Sequence, residues 1–469
     1  MKGNLYVCGA PASGKSTFAA ALAAHTGAEA VDLDREIAGA AGMDIPEIFR
    51  THGESAFRDM ESAALEKIAG APVPAGGRIT ALGGGTLLRE SNRALAERTG
   101  RTVCIDTPSP EEIARRIGAA AGSRPLGDKS TERAGHYASF PRRIASFRTV
   151  GRSLVIAGKG IAEIFLDGLP YVADAKVASL WKEKLPQNRI AEIPSGEEHK
   201  TPATIASLWS AFAAAGLGRK DVVAAVGGGV TGDLTGFAAA TWMRGIGWIN
   251  FPTTLLSMVD ASTGGKTGCD LPEGKNLAGA FHPPELVVID TDFLATLDAA
   301  TLSQGRAEMI KHEIIGALEP SESPRGIPSA AEIARNLAVK IAIVEEDPFE
   351  KTGRRMLLNC GHTVGHAIEL ATSYCVSHGE AVAAGCVEEA RIAEREGLAA
   401  PGWADSLAGR FAAAGLSPAM PQGISLDSLI PLMRGDKKRA GSTVVFALPC
   451  GNGDVRPVAF DLSKGMRRC

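Results

Sequence analysis

Short apolar runs that close on glycine recur along this chain, and most are followed by residues with helical spacing. Asn4–Cys8 reads as a buried strand, followed by a glycine-bounded turn over Gly9–Thr17 and an Ala-rich helix. Val31–Asp34 reads as the end of a second strand with two acids on one face, and Leu82–Thr86 ends another. Gly53–Arg58 precedes a helix. A second α/β unit begins near Ser153, and its Asp221–Val226 run opens into Gly227–Asp233. From about Leu302 the pattern turns helical, with Ala-rich amphipathic stretches and few strand-like runs before Val444. Strands alternating with helices predict α/β architecture with parallel sheets.

Composition narrows the class. The chain has 469 residues, more than one domain on size alone. A net charge of −3 argues against a dedicated nucleic-acid binder. The eight cysteines are scattered without a CxxC pair, so neither a disulfide framework nor a structural zinc cluster is expected, and a reducing cytoplasm is. No apolar run is long enough to span a bilayer, so no membrane partner is expected. Lys2 and the Ala-rich stretch after it imitate a signal peptide, but Lys15 interrupts the apolar run.

Gly9–Thr17 is GxxxxGK[ST] between a strand and a helix, where backbone N–H groups wrap a phosphate chain. Lys15 reaches the outer phosphates and Ser16 can ligate Mg²⁺. The residues after it point to an acceptor. Two carboxylates, an arginine and a bare glycine backbone suit a small hydroxylated carboxylic acid, the arginine gripping its carboxylate and an aspartate orienting its hydroxyl. Together with Arg124–Leu126 in a polar Gly/Ser segment, these blocks resemble shikimate kinase in family order. The resemblance implies an N-terminal P-loop kinase domain over 1–150, a parallel sheet flanked by helices, using ATP with Mg²⁺. It implies ATP on Gly9, Gly14, Lys15, Ser16, Thr17 and the lid residue Arg124. It implies Mg²⁺ on Ser16 and Asp32, and shikimate on Asp34, Arg58, Gly83, Gly84, Gly85 and Arg133. The family's final strand and helix look short or missing, so this half is expected to lean on the next for burial.

In the second half, Gly227–Asp233 lets a backbone approach a pyrophosphate at a helix N-terminus, although a tight turn fits the same residues. Lys266, Lys275, Lys311 and Arg244 form a cationic set with few nearby acids, suited to a phosphorylated sugar. Glu308 and Lys311 stand one helical turn apart. His362 and His366 share a helix face, with His378 after a short break. Two imidazoles and a carboxylate leave an open position on a catalytic Zn²⁺, while ordinary surface or core histidines fit the same spacing.

This half resembles 3-dehydroquinate synthase through PSGEEHK at 194–200, GGGVTGDLTGFAAATWMRG at 227–245, PTTLLSMVDASTGGKTG at 252–268, GKNLAGAFHP, GRAEMIKH, RMLLNCGHTVGHAIE, HGEAVAAG and DKK at 436–438. The resemblance implies a Rossmann-type NAD-binding α/β part over 151–300 and a mainly helical metal- and substrate-binding part over 301–469. Glu308, His362 and His378 would hold Zn²⁺ (or Co²⁺). NAD would lie on Glu197, Lys200, Gly227, Gly228, Gly229, Asp233, Thr253 and Thr254, with Lys275 between it and the substrate. Catalysis would fall to Asp260, Lys266, Lys311, Arg355, Asn359 and His366, with Asn276, Lys340 and Lys437 on the substrate. Arg244 would reach a neighbouring subunit's phosphate site in a homodimer. The implied substrate is 3-deoxy-D-arabino-heptulosonate 7-phosphate. NAD takes and returns a hydride, the metal lowers the carbinol pKa, phosphate leaves by β-elimination, and an aldol step closes the ring. Two other readings stand beside this bifunctional shikimate-pathway enzyme: a synthase with a non-catalytic nucleotide-binding appendage, and another sugar-phosphate cyclase.

Overall fold

The computed structural model describes residues 3–109, 111–112, 115, 133–435, 443–464 and 466–468. The N-terminal strands β1 (Asn4–Gly9), β2 (Glu29–Asp32), β3 (Arg78–Ala81) and β4 (Gly100–Ile105) alternate with α1 (Lys15–Thr26), α2 (Leu33–Ala41), α3 (Ile45–Gly70) and α4 (Glu90–Thr99). A short α5 (Ala134–Ala138) leads into β5 (Arg143–Val150). The middle of the chain contributes β6 (Ser153–Lys159), α6 (Ala162–Leu166), β7 (Tyr171–Asp174), α7 (Ala175–Leu180), β8 (Arg189–Ile193), α8 (Pro202–Ala214), β9 (Val222–Gly227), α9 (Gly229–Thr241) and β10 (Gly247–Pro252). The hairpin β11 (Lys266–Leu271) and β12 (Gly274–Phe281) precedes β13 (Leu286–Asp290). Helices α10 (Ala299–Gly316), α11 (Ala330–Glu346), α12 (His362–Ala371), α13 (His378–Arg395), α14 (Trp403–Ala413) and α15 (Leu426–Gly435) follow. A small antiparallel sheet of β14 (Thr443–Gly451), β15 (Asp454–Asp461) and β16 (Arg467–Arg468) comes last.

Eleven strands form one sheet in the order β2-β3-β1-β4-β5-β6-β13-β10-β9-β7-β8. Each neighbouring pair is parallel except β5 with β6, which form a hairpin closed at Gly151 and Arg152. Gly151 has φ 55°, the left-handed backbone that a tight hairpin turn needs. Two parallel sheets, one from each half, are thus welded through one antiparallel pair. β1 and β13 are buried at every residue, as expected of parallel strands covered by helices on both faces.

The weld continues in the packing. One buried cluster joins Leu5, Val7, Phe18 and Leu22 to Leu154, Ile156, Val288, Leu337 and Ile341. The expectation of a short or missing final kinase strand is therefore half corrected. β5 is eight residues long, and β6 of the second half takes the place beside it. Asp34 also departs from expectation, because β2 stops at Asp32. The Asp32 side chain accepts from the Arg35 N–H and starts α2, which puts Asp34 in a helical first turn. Gly53 (φ 79°) breaks α3, and Glu54–Arg58 open its second segment.

Candidate active sites

A cleft of about 1310 Å³ opens where β1, β2, β3 and β4 end. Gly9 and Gly14 take positive φ (144° and 97°), and a Cβ at Gly9 would lie 2.8 Å from the Ile105 carbonyl oxygen. α1 starts on Gly14 with no side-chain cap, which leaves its first N–H groups for an anion. The Lys15 ammonium folds over the turn onto the carbonyls of Gly9 (3.0 Å) and Ala10 (2.8 Å). Ser16, Thr17, Asp32 and Asp34 line the same cleft. This arrangement fits a nucleotide's phosphates with a divalent ion.

Across the cleft, Arg58 pairs with Glu61 and, at 3.2 Å, with Glu54. Glu61 is buried and accepts from the Thr86 hydroxyl at 2.6 Å, so it fixes the arginine's position. A Cβ at Gly83 would collide with Glu61, and one at Gly85 with the Arg58 guanidinium. The Tyr137 hydroxyl donates to the Gly84 carbonyl at 2.7 Å, and Arg133 stands 3.9 Å from Glu54. Arg124 lies outside the described residues. Sequence reading missed Glu61, whose only signal was its place one helical turn after Arg58.

The second site gathers at the junction of sheet and helices. Glu308 comes from α10, His362 opens α12 and His378 opens α13, and their donor atoms lie within 4.8 Å of one another. His362 Nε2 is 3.4 Å and His378 Nε2 3.3 Å from the Glu308 carboxylate. Burial opposes the Glu308 charge, but Lys311, His362 and His378 outweigh it and hold its pKa well below the usual value. Burial and then Lys311 lower His362 to about 3. Burial also opposes charge on His378, yet Glu308 and Glu369 raise it to about 10. A carboxylate and two imidazoles so placed fit a divalent metal. His378 Nδ1 faces Glu369 at 3.3 Å and His362 Nδ1 faces the Cys360 carbonyl at 3.1 Å, so each ring is oriented from behind. His366 stands outside this donor set and lines a cavity of about 90 Å³ with Asn359, His362 and Thr363.

Lys340 pairs with Asp260 at 2.8 Å. Burial opposes the Asp260 charge, but Lys340 and Lys311 lower its pKa below the ordinary range. His312 is buried beside Asp260 and Glu308, its two ring nitrogens have no hydrogen-bond partner, and burial followed by Lys311 lowers it to about 4.

The glycine turn at 227–229 runs from a strand into a helix. β9 runs through Gly227 and Gly228 into α9, a Cβ at Gly227 would strike the Thr231 side chain, and α9 has no side-chain cap. The Thr253 hydroxyl is buried without a partner, while Thr254 bonds Ser257 at 2.9 Å. Lys200 reaches Asp233 and Asn276, both at 2.7 Å. Bare glycines, an uncapped helix start and an unpaired hydroxyl fit a dinucleotide.

The acid-poor cationic set is corrected. Lys266 pairs with Glu350 at 2.5 Å, Lys275 with Glu197 at 3.8 Å, and Lys311 with Glu308. Glu350 and Glu197 are distant in sequence from the lysines they meet, so a linear count of acids misses them, while Glu308 is the acid already noted one helical turn before Lys311. Arg355 is buried, donates to the Pro348 carbonyl at 3.0 Å and stands 3.7 Å from the same Glu350. Arg244 is exposed on a turn with φ 72°, outside this cluster, and Lys437 lies outside the described residues. Asp174 caps α7 and accepts from the Ser195 hydroxyl at 2.7 Å.

Family models match three successive stretches: shikimate kinase over residues 11–165, the N-terminal part of 3-dehydroquinate synthase over 190–304, and its C-terminal part over 305–439. A 3-dehydroquinate synthase from Synechococcus is 43% identical over 276 residues, covering 56% of this chain and 75% of the relative. The chain belongs to the 3-dehydroquinate synthase family. Ahead of the synthase stands a shikimate kinase domain, and the fusion is a bifunctional shikimate-pathway enzyme. The synthase of Symbiobacterium thermophilum is 39% identical over 315 residues, 65% of this chain and 86% of the relative. Among solved structures, a 2-deoxy-scyllo-inosose synthase complexed with carbaglucose-6-phosphate, NAD⁺ and Co²⁺ covers 66% of this chain and 94% of its own, with 26% identity and a TM-score of 0.58. The 2-epi-5-epi-valiolone synthase of Streptomyces hygroscopicus, with NAD⁺ and Zn²⁺ bound, covers 67% and 94%, with 27% identity and a TM-score of 0.59.

Proposed function

We propose that the two activities use separate residue sets at the two sites on the fused sheet. In the N-terminal cleft, the turn from Gly9 to Thr17 holds the ATP phosphates, Ser16 and Asp32 face Mg²⁺, and Asp34 orients the shikimate hydroxyl. Arg58 and Arg133 grip its carboxylate against the bare backbone of Gly83–Gly85. In the second site, Glu308, His362 and His378 hold a divalent ion, and Gly227–Gly229 with Lys200 and Asp233 hold NAD. When bound, the ion supplies Lewis acidity and the dinucleotide accepts and returns a hydride.

This chain's residues then position and neutralise. Lys311 and Lys340, each paired with a carboxylate, place ammonium groups next to a substrate bearing carboxylate and phosphate. Lys266 and Arg355 reach the phosphate by exchanging Glu350 for it. His366 moves a proton from the edge of the site, where Asn359 lines the same cavity. The leading support is the Glu308–His362–His378 set beside buried Lys311 and half-buried Asp260. The test is to supply heptulosonate 7-phosphate and other sugar phosphates and identify the product. Release of phosphate with 3-dehydroquinate from the first alone supports the reading, and turnover of another sugar phosphate instead would replace it.

The proposed boundary between the activities is the hairpin turn at Gly151, with the helical part beginning near residue 301. The proposed assembly is a homodimer through the synthase half, with exposed Arg244 reaching the partner's phosphate site. Light scattering at working concentration checks it. No helix among the described residues is long and apolar enough to cross a membrane, and the cytoplasm is the proposed location.

A further inference from the structure

Sheet order divides the kinase cleft at the phosphate-binding turn. β2 and β3 lie on one side of β1 and carry Asp32, Asp34 and Gly83–Gly85, the acceptor set. β4 and β5 lie on the other side and carry Ile105–Ser109 and Ala145–Phe147 into the same cleft. With its phosphates on the turn and the acceptor on the first side, a nucleotide has the second side for its ribose and base. The N-terminal half does not build that side alone. Ala331, on the first turn of α11 in the synthase half, stands in its wall.

The helix is held there from several directions. Glu345 at its far end pairs with Arg148 of β5 at 2.5 Å. Leu337 and Ile341 share a buried cluster with Phe18 and Leu22 of α1, and Phe147 packs against it. The Phe147 ring meets Phe18 edge-on at 5.1 Å, and a Cβ at Gly14 would lie 3.4 Å from its tip. β5 thus touches the phosphate turn on one side and α11 on the other. The same helix carries Lys340, which pairs with Asp260 in the synthase site. Ala331 itself is small and exposed, so a larger side chain there meets the cleft rather than the core.

We infer that α11 of the synthase half forms part of the nucleoside wall of the kinase's ATP site, with Ala331 setting the room left for ribose and base. This rests on the kinase reading above. A bulky residue at 331 fills space meant for the nucleoside and leaves the phosphate turn untouched. It discriminates between ATP and a ligand that is phosphate alone.

The test uses the full chain and calorimetric titration of Mg·ATP and of Mg·tripolyphosphate. Ala331→Trp is expected to weaken ATP by about tenfold or more, with tripolyphosphate affinity unchanged. Ala331→Leu should fall between Trp and native, and Ala331→Ser should match native. Cyclase turnover, unchanged in all three, reports that α11 remains folded. Lys15→Ala should weaken both ligands. Native ATP affinity in both the Trp and Leu variants would overturn the inference while leaving the kinase reading intact, provided Lys15→Ala still weakens both ligands. Equal weakening of ATP and tripolyphosphate would also overturn it, since the effect would then run through the phosphate turn. A native chain that binds neither ligand would overturn the kinase reading and this inference together.

Discussion

Gly83 and Gly85 are glycine because two side chains stand where their Cβ atoms would be: Glu61 and Arg58. The acceptor side of the kinase cleft is therefore a backbone surface braced by an ion pair. Asp34 is exposed on the first turn of α2 and lines the cleft, where the proposed role is to orient the acceptor hydroxyl. Asp34→Asn should lower phosphoryl transfer by about 10²-fold or more, with ATP affinity little changed, because Lys15 and the turn hold the phosphates. Nucleotide titration and turnover measured separately decide it, and equal loss of both would make Asp34 a nucleotide ligand. In the synthase site, Glu369 orients His378 from behind. Glu369→Ala should weaken metal affinity by about 10- to 100-fold. Competition with a chromophoric chelator measures this directly, and native affinity would remove Glu369 from the metal's support.

At the scale of elements, two of the three proposed metal donors are the first residues of helices. At His362 the helix start acts with burial and Lys311 against a positive charge and so favours neutral, ligating imidazole, whereas at His378 the carboxylates of Glu308 and Glu369 outweigh it. α12 starts on Gly361 without a side-chain cap of its own. Glu389, buried on α13, replaces the cap and accepts from the N–H groups of Gly361 at 2.7 Å and Val364 at 3.2 Å. One helix thereby sets where the other begins, and with it the place of His362. Glu389→Leu should destabilise the protein by about 1–3 kcal/mol, the cost of orphaned buried donors. It should also weaken the metal. Denaturant unfolding and the same chelator competition check both, and native values would mean another group caps α12. Arg306, two residues before Glu308, is buried and bonds the carbonyl of Ser323 at 3.0 Å and that of Gly326. Arg306 thereby pins the loop between α10 and α11.

At the scale of the molecule, one sheet and one buried cluster run through both halves, while the two sets of chemical groups remain separate. Metal removal should abolish cyclisation and spare the kinase when Mg²⁺ is restored, since Glu308, His362 and His378 have no part in the phosphate turn. Loss of both activities would show a shared metal dependence. A fragment ending at Val150 leaves β5 as a bare edge and strips Phe18 and Leu22 of their cover from α11. It should aggregate or unfold. A fragment starting at Gly151 keeps Asp260, Glu308, Lys311, His362 and His378 and should still cyclise. Solubility, circular dichroism and the two assays measure this, and a stable, active kinase fragment would refute the dependence.

The sequence by itself determined the local chemistry: the phosphate turn at Gly9–Thr17, the glycine turn at Gly227–Gly229, the helical spacing of Glu308 with Lys311, and the histidines that open α12 and α13. Each is a short-range pattern whose geometry follows from backbone preference and from helix or strand period. Two local readings failed for local reasons. The strand ran only to Asp32 because that side chain capped the next helix, and Lys266 and Lys275 looked unopposed because Glu350 and Glu197 stand elsewhere in the chain. Tertiary structure alone decided what crosses the chain: Glu61 behind Arg58, Glu389 beneath α12, Glu350 between Lys266 and Arg355, and Ala331 in the wall of a cleft otherwise lined by residues of the N-terminal half. The fusion of two parallel sheets through β5 and β6 belongs with these. An edge strand must find a partner for its backbone N–H and C=O groups, and which strand supplies it is a matter of packing that no window of sequence contains.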